Sequence, residues 1–411
     1  MGDRMPGSAS PGPVGVARDI PAHARVVIVG AGQAGLSVAY HLARRGLRPG
    51  ADLVVLDRAP ATGGAWQFRW ESLRLGTAHR VNDLPGMTEL GLSFDTADQD
   101  RAARDVVAEY YAAYEQHFGL AVFRPVAVTA VAAATGARGA DRVAGADGVA
   151  EALRVSYLRD GAVRGSITAD VLVNATGTWG APVRPYVPGI ETFRGRQLAT
   201  PEYRSAAEFV GQRVIVVGGG TSAVGFVLEL EGVAASTTWV TRRPPSFVGD
   251  EPDTPPGSTV TSTIESRLAA VAQQNEAAAA GRVLPSIVAG TGLPATRRNR
   301  AAIARGALEA HPLFTSIEPG GVRFADGTFQ PADVILWATG FRSELGHLEP
   351  LGLREVGGGV AAVEGRAVRD PRVFLAGYGP QASTIGANRA GRLVARQVLR
   401  ALRDPEHPQP A

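Results

Sequence analysis

The sequence predicts an α/β protein built from two Rossmann-like dinucleotide-binding domains, and two observations support this. An apolar run, a glycine-rich turn and a helical pattern follow one another twice, at 25–46 and at 213–230. Such an apolar run is typical of a parallel strand that is buried on both faces of its sheet. Because strand patterns return near 335 and 373, we expect the second domain to be inserted into a discontinuous first one.

The predicted division of the chain follows from these patterns. The first domain takes 23–180 and 335–403, and the second takes 181–334 with a mostly helical insertion at 244–312. The Gly-, Pro- and Ala-rich start at 1–22 and the polar end at 404–411 are predicted to be disordered tails.

The first turn carries the pattern Gly-x-Gly-x-x-Gly at Gly30, Gly32 and Gly35. The first glycine permits the tight turn, the second lets a pyrophosphate approach the backbone, and the third lets helix and strand pack closely. Gln33 and Ala34 lie where the helix begins, and its free N–H groups favour a phosphate. We therefore predict cofactor contacts along this whole turn.

An acidic residue stands where such a site needs one. Asp57 follows the apolar run 53–56 and lies 22 residues after Gly35, and Arg58 is predicted to contact the cofactor beside it. A carboxylate at that place accepts hydrogen bonds from a ribose diol. A doubly wound domain without a nucleotide is the alternative, and the agreement of strand, glycines, helix and acid disfavours it.

The second turn differs from the first at the end of its next strand. Its predicted contacts are Gly218, Gly220, Thr221 and Ser222, with Ala223 in the third glycine position. The strand at 236–240 leads into Arg242 and Arg243 instead of an acid, and arginine there suits a 2′-phosphate. Two solvated arginines are the alternative. The two sites together predict FAD (or NAD) at the first turn and NADPH at the second.

Composition excludes several classes of function. The chain of 411 residues has no cysteine, which rules out disulfides, thiolate metal sites and a redox-active cysteine pair. No apolar run reaches membrane-spanning length, and the net charge is only +3. The arginines at 297, 298, 300 and 305 lack interleaved aromatic residues, so we interpret them as a solvated helix face. We predict no metal, no nucleic acid, no membrane partner and a cytoplasmic location, and leave monomer or homodimer open.

Together with the two glycine turns, three further motifs make the chain resemble the class B flavoprotein monooxygenases, which carry such motifs in this order. The three motifs are Gly63-Gly64-Ala65-Trp66, Leu84-Pro85-Gly86 and Ala338-Thr339-Gly340-Phe341. The remaining predicted cofactor contacts are Gly64, Ala65, Trp66, Thr176, Gly177, Thr339, Gly340, Ser383, Thr384 and Ile385. The paired glycines suit backbone packed against a flat ring system, and a turn beside a core indole is the alternative.

The resemblance implies a reaction. In that family NADPH reduces FAD, and a C4a-hydroperoxyflavin then transfers one oxygen from molecular oxygen to a nucleophilic N, S or C of a small molecule. It leaves the catalytic residues of this chain unknown. The candidates for lining the flavin face are Trp66, Thr77, His79 and Asn82, and a structural role for His79 and Asn82 stays open.

One departure from the family is visible in its signature Phe-x-Gly-x-x-x-His-x-x-x-Tyr/Trp. Phe193, Gly195 and Tyr203 match it, but Ala199 stands in the histidine position. In the family this histidine supports the NADPH-linked oxygen chemistry. An NADPH-dependent flavin reductase or oxidase without oxygen insertion is therefore the alternative function, and a nucleotide-binding protein without catalysis is the third. Tyr203 disfavours the Baeyer–Villiger branch, which has Trp there.

Overall fold

The structure is a computed structural model that describes residues 19–78, 81–134, 152–248, 264–284, 292–382 and 384–403. Its α-helices are α1 (Gln33–Ala43), α2 (Ala103–His117), α3 (Thr221–Leu230), α4 (Ile264–Ala279), α5 (Arg297–Ala304) and α6 (Thr384–Arg403). The predicted tails fall outside these ranges, except for residues 19–22. No described helix combines the length and the hydropathy that crossing a bilayer requires.

A nine-stranded sheet forms the first domain. Its strands are β1 (His23–Val29), β2 (Leu53–Leu56), β3 (Val122–Phe123), β4 (Val126–Ala133), β5 (Leu153–Arg159), β6 (Val163–Asn174), β17 (Ala362–Val363), β18 (Arg366–Ala367) and β19 (Val373–Leu375). The parallel part runs β19-β6-β1-β2-β3, while β5 adds antiparallel to β6 and β4 to β5. In β1, Val26 and Ile28 enter one core while Val27 and Val29 enter the other. Burial on both faces explains the uninterrupted apolar run.

The second domain is a parallel five-stranded sheet in the order β12-β9-β8-β16-β7. Its strands are β7 (Arg196–Ala199), β8 (Arg213–Val217), β9 (Ser236–Thr241), β12 (Ala310–Pro312) and β16 (Val334–Trp337). The short strands β10 (Phe247–Val248) and β11 (Leu293–Pro294) pair with each other, and β13 (Ser316–Glu318), β14 (Gly321–Arg323) and β15 (Phe329–Pro331) form a separate antiparallel sheet. The two-domain α/β prediction is confirmed.

Two predicted boundaries are wrong. Strand β16 hydrogen-bonds between β8 and β7, so 335–337 belong to the second sheet and not to the first domain. Strand β12 pairs with β9, so the insertion ends before Ala310. The first error arises because a buried apolar strand such as β16 carries no local mark of the sheet that it joins. The second arises because β12 is short and largely exposed, so no apolar run marks it as a strand.

The insertion contacts the first domain as well as the second. Helix α4 is followed by a backbone bridge between Arg282 and Gly358, and the Val283 N–H donates to the Gly357 carbonyl at 3.0 Å. Gly357 and Gly358 precede β17 of the first sheet. The described part of the insertion is therefore a connection between the two domains, and its helices are α4 and α5.

Candidate functional site

The first glycine turn is closed by its own backbone. Gly30 has φ +102°, and a Cβ there would lie 2.5 Å from the Ala175 carbonyl oxygen. A Cβ on Gly35 would lie 1.9 Å from the Gly30 carbonyl oxygen. Both distances are shorter than any real contact, so the tight turn and the close packing of α1 require these two glycines.

The second glycine pair packs directly on the first turn. A Cβ on Gly64, where φ is +53°, would lie 2.6 Å from the Cα of Gly32. A Cβ on Gly63 would approach Ala108 of α2 at 3.3 Å. Backbone contact with Gly32 and α2 thus accounts for both glycines. Ala65 is exposed, whereas Trp66 is buried.

Asp57 lies at the end of β2, as predicted, and is buried in an ion-pair cluster. Arg124 donates from its Nε to the Asp57 carboxylate at 2.8 Å and from its two terminal nitrogens to Glu115 at 2.6 and 2.7 Å. Burial raises the pKa of Glu115, and Arg124 opposes that shift. No sequence motif links this arginine to Asp57, because the two lie 67 residues apart in the chain.

Arg58 contacts one of the two crossings, which are the segments that follow β6 and β16 and connect the domains. It forms a two-point ion pair with Glu344, which follows β16. Next to this pair, His347 shares a hydrogen bond of 2.7 Å between its Nε2 and the Asn174 side-chain oxygen. Burial, together with the charge of Arg58, lowers the pKa of His347 to about 4, so this histidine is neutral at pH 7.

Three segments meet where α1 begins. Gln33 donates to the Asn82 carbonyl oxygen at 2.7 Å and contacts the Asn388 side-chain oxygen of α6 at 3.5 Å. Its own amide oxygen is buried and has no hydrogen-bond partner among the described residues. Ala34 faces Gly377, whose Cβ would lie 3.2 Å from the Ala34 Cβ. The structure therefore brings Gln33, Ala34 and Asn82 together.

No described side-chain contact brings the remaining predicted residues of this region to the start of α1. Thr77 is exposed, and its hydroxyl donates to the Arg74 carbonyl of its own turn at 3.2 Å. His79 and Ser383 lie outside the described residues. Thr384 and Ile385 begin α6, and only their backbone is described.

The second glycine turn is closed at its first glycine only. Gly218 has φ +140°, its Cβ would meet the Ala338 carbonyl oxygen at 2.2 Å, and its own carbonyl accepts from the Trp239 indole at 2.7 Å. A Cβ on Gly220 meets nothing within 4 Å. Thr221 and Ser222, both half-buried, form the first turn of α3.

Arg242 and Arg243 directly follow β9, as predicted, and both are exposed. No carboxylate of the described ranges forms an ion pair with either. Arg305, from the cluster at 297–305, is by contrast paired with Glu231 at 2.6 Å. The two arginines at the strand end therefore present free guanidinium groups beside the turn, within the described part of the chain.

Two of the Ala-Thr-Gly motifs in the sequence, at 175–177 and 338–340, join the two segments that connect the domains. Thr176 donates its hydroxyl to the Glu344 carbonyl at 2.6 Å, and Thr339 donates to the Val183 carbonyl. Backbone N–H groups of the same partners return to the carbonyls of Gly177, at 3.0 Å, and Gly340, at 2.9 Å. These hydroxyls are thus occupied by the protein, and cofactor contact by these four residues stays a prediction.

The signature segment leads to a buried junction. Tyr203 donates to Glu229 of α3 at 2.9 Å, and Trp70 of the first domain donates to the same carboxylate at 2.7 Å. Burial and Glu229 raise the pKa of Tyr203. Ala199 ends β7 beside Trp337 and is buried, and its N–H donates to Glu202 at 2.7 Å.

A cationic stack lies between the domains. The Arg69 guanidinium carbon is 3.9 Å from the centroid of the Trp179 ring and 5.5 Å from that of Trp66. Trp179 in turn stacks on Phe341 with centroids 5.1 Å apart. Burial lowers the pKa of Arg69 to about 10. No sequence pattern indicates Arg69, because a single arginine in a loop carries no periodic signal.

Both glycine turns fit dinucleotide phosphates. Helix α1 begins after Gly32 and α3 after Gly220, and neither helix has a capping side chain. Their first N–H groups are therefore open to an anion, beside glycines that leave room for it. No group of three or more His, Asp or Glu side chains in the described ranges is arranged to hold a metal ion.

The sequence matches one protein family. Residues 24–253 match the family described as pyridine nucleotide-disulphide oxidoreductase. Among curated proteins, the Baeyer-Villiger monooxygenase of Streptomyces coelicolor is 31% identical over 54% of this chain and 38% of its own length. An indole-3-pyruvate monooxygenase of Oryza sativa is 33% identical over 53% of this chain and 47% of its own length. The chain thus spans less than half the length of these two relatives.

The match to solved structures extends further. The flavin-containing monooxygenase from Stenotrophomonas maltophilia is 31% identical, with a TM-score of 0.69. The alignment covers 92% of this chain and 98% of that one. The resemblance noted in the motifs therefore extends over nearly the whole fold.

Proposed function

The chain belongs to the pyridine nucleotide-disulphide oxidoreductase family and, within it, to the class B flavoprotein monooxygenases; from this premise we propose its activity. It is an FAD- and NADPH-dependent monooxygenase that transfers one oxygen atom of molecular oxygen to an N, S or C nucleophile of a small molecule. The family is named after disulphide chemistry, but this chain cannot carry out a cysteine-based step because it contains no cysteine.

The observation that carries the proposal is that the two uncapped glycine turns lie on either side of one contact between the domains. We call this contact the seam; it is formed by the segments that follow β6 and β16. Each turn follows a central strand of a parallel sheet, and ligands of such sheets bind beyond the carboxyl ends of the strands. The crossings that leave β6 and β16 pair with each other, since the Val183 N–H donates to the Gly340 carbonyl. The carboxyl edges of the two sheets are therefore neighbours, as electron transfer between two bound cofactors requires.

The residues divide the work between the two cofactors. The turn at Gly30 and the N-terminus of α1 would hold the FAD pyrophosphate, and Asp57 would accept from its ribose. Arg242 and Arg243 would hold the 2′-phosphate of NADPH. FAD, when bound, supplies the electron transfer between nicotinamide and oxygen that amino-acid side chains cannot provide. The protein's part is to bind, orient and exclude water.

The test uses the FAD-loaded protein with NADPH and ¹⁸O₂, against a panel of small amines, thioethers and ketones. We expect NADPH oxidation that rises with one class of substrate and a product that carries a single ¹⁸O atom. NADPH consumed with hydrogen peroxide as the sole oxygen product, for every substrate, would establish the reductase or oxidase alternative. A purified protein that takes up no FAD would contradict both.

The same experiment addresses Ala199. The signature histidine is absent, so the fraction of NADPH oxidation that ends in peroxide measures how well hydride delivery is coupled to oxygenation. We propose that the enzyme works in the cytoplasm, where NADPH is supplied. The homodimer is the proposed assembly, and light scattering of the FAD-loaded protein measures it.

A further inference from the structure

One half-buried cation between the domains has no ion-pair partner within the described part of the chain. Arg69 lies over the rings of Trp66 and Trp179, and its Nε is closed to solvent without a hydrogen-bond acceptor. No carboxylate in the described ranges forms an ion pair with it, although Arg124, which is also largely shielded from solvent, is shared by two. A desolvated guanidinium without a carboxylate partner costs stability, and this points to a role outside folding.

The position of Arg69 is the seam between the domains. Gly64, five residues before it, contacts the first glycine turn, and Trp70, the next residue, is buried in the core of the second domain. Trp179 lies on the outgoing crossing, and its stacking partner Phe341 lies on the returning one. The guanidinium therefore stands where the carboxyl edges of the two sheets meet, and this is where ligands of such sheets bind.

The phosphates of the two cofactors already have their own sites. In the proposed function, the uncapped helix N-termini at Gly32 and Gly220 would take the two pyrophosphates, and the exposed Arg242 and Arg243 would take the 2′-phosphate. Arg69 belongs to neither glycine turn. The anion that would neutralise it is therefore a third one, which arrives with the remaining ligand of the seam.

We propose that Arg69 binds the carboxylate of the substrate, so that this monooxygenase acts on small organic acids. A guanidinium packed against two indole rings is restrained, and its planar terminal nitrogens can then donate two parallel hydrogen bonds to a carboxylate. The flanking rings would contact the apolar part of the same molecule. This inference rests on the proposed function and adds the substrate class to it.

The experiment compares 3-(methylthio)propanoate with 3-(methylthio)propanamide. These two thioethers differ only in that the carboxylate of the first is a neutral amide in the second. With the FAD-loaded enzyme, NADPH and oxygen, we expect kcat/KM for sulfoxide formation to favour the acid at least 10-fold. Arg69→Gln should lower kcat/KM for the acid about 10- to 100-fold, as the loss of a charge-assisted pair implies, and leave the amide within about twofold. Arg69→Lys should fall between, because it keeps the charge but loses the planar fork.

Controls separate this role from others. Arg164→Gln, at an exposed arginine of β6, should change neither substrate. A KM that rises for NADPH instead of the acid would assign Arg69 to a nucleotide phosphate and overturn the proposal. Equal use of acid and amide by the unmodified enzyme would also overturn it. So would a lower melting temperature of Arg69→Gln with unchanged use of the acid, because that result marks a structural cation.

Calorimetric titration of the oxidised holoenzyme with the same two thioethers, without NADPH, makes the two proposals separable. Binding of the acid that disappears in Arg69→Gln supports the inference even if no sulfoxide forms, and absence of sulfoxide with every substrate would then count against the monooxygenase alone. Oxygenation of neutral thioethers without any binding of the acid would overturn the inference and leave the proposed function intact.

Discussion

The two glycine turns start alike and then diverge. Gly30 and Gly218 each have a positive φ and would each clash with a neighbouring carbonyl oxygen if they carried a Cβ. After that glycine, the first turn is enclosed by Gly64 and by Gly377 before α6, whereas a Cβ on Gly220 of the second turn meets open space. Two further segments of the chain therefore pack against the first turn, and no such neighbour lies within 4 Å of a Cβ on Gly220.

This difference fits cofactors with different residence times. A site that is already ordered pays little entropy on binding, so an enclosed turn suits a cofactor that stays bound. An open turn beside two exposed arginines suits a nucleotide that enters and leaves in each turnover. The charges follow the same division, because Asp57 is held in a buried cluster while Arg242 and Arg243 are exposed.

The largest expected effect comes from Gly35→Ala. The added Cβ would lie 1.9 Å from the Gly30 carbonyl oxygen, so α1 must move away from β1. We expect a loss of at least about 3 kcal/mol in the free energy of unfolding, and little bound FAD. Urea denaturation and flavin absorbance after gel filtration measure the two.

The second turn offers the matched control. Its equivalent position is already Ala223, which is fully buried in α3. Ala223→Gly should lower the free energy of unfolding by only about 1 kcal/mol, as glycine inside a helix usually does, and leave FAD content unchanged. A Gly35→Ala protein with normal stability and flavin would show that the first turn is not the tighter one.

Arg124→Met tests the buried charge cluster of the first site. It leaves Asp57 and Glu115 buried without their cation, which should cost about 3–5 kcal/mol and weaken FAD binding. The control is Arg213→Met, which breaks an exposed ion pair with Asp333 in the second domain and should have a much smaller effect. Equal effects in urea denaturation would remove the contrast between the sites.

Lowering the pH should reduce the free energy of unfolding, because His347 has a lower pKa in the folded protein than in the unfolded chain. Its pKa is about 4 when folded and about 6.5 when unfolded, so the unfolded chain binds more protons between these values. Stability is then complete above about pH 6.5 and falls, by up to about 3 kcal/mol, as the pH approaches 4.

His347→Gln keeps a donor toward Asn174 and removes the titration, so its stability should change less over this range. Denaturation at pH 7.0, 5.5 and 4.5 measures the difference. Part of the slope should persist through His41 of α1, whose pKa is also lowered to about 4 by burial and by nearby arginines. An unchanged slope in His347→Gln would contradict the assignment to His347.

The smallest effect is expected at the second site. Replacing Arg242 and Arg243 together with alanine should raise KM for NADPH about 10-fold, the value of one charge-assisted contact at an exposed site. KM for NADH, which lacks the 2′-phosphate, should not change. Arg204→Ala, at another exposed arginine of the domain, is the control. Parallel changes for both nucleotides would indicate a general electrostatic effect.

Local patterns were enough to predict the cofactor turns. The glycines at 30, 35 and 218 are required by clashes within a few residues or with the adjacent strand, and such constraints leave a visible sequence motif. The boundary at 335 was wrong because β16 resembles every other buried strand, and the sheet it joins depends on pairing with β7 and β8.

The sequence by itself determined the two domains, the two turns and the sign of the charge after each strand, because each depends on short-range geometry and periodicity. The tertiary structure alone decided which residues share the seam. Arg69 with Trp179, Thr176 with Glu344, and Tyr203 with Trp70 are separated by more than 100 residues in the chain. Only the folding of the crossings against each other brings them into contact, and the chemistry of the site depends on those contacts.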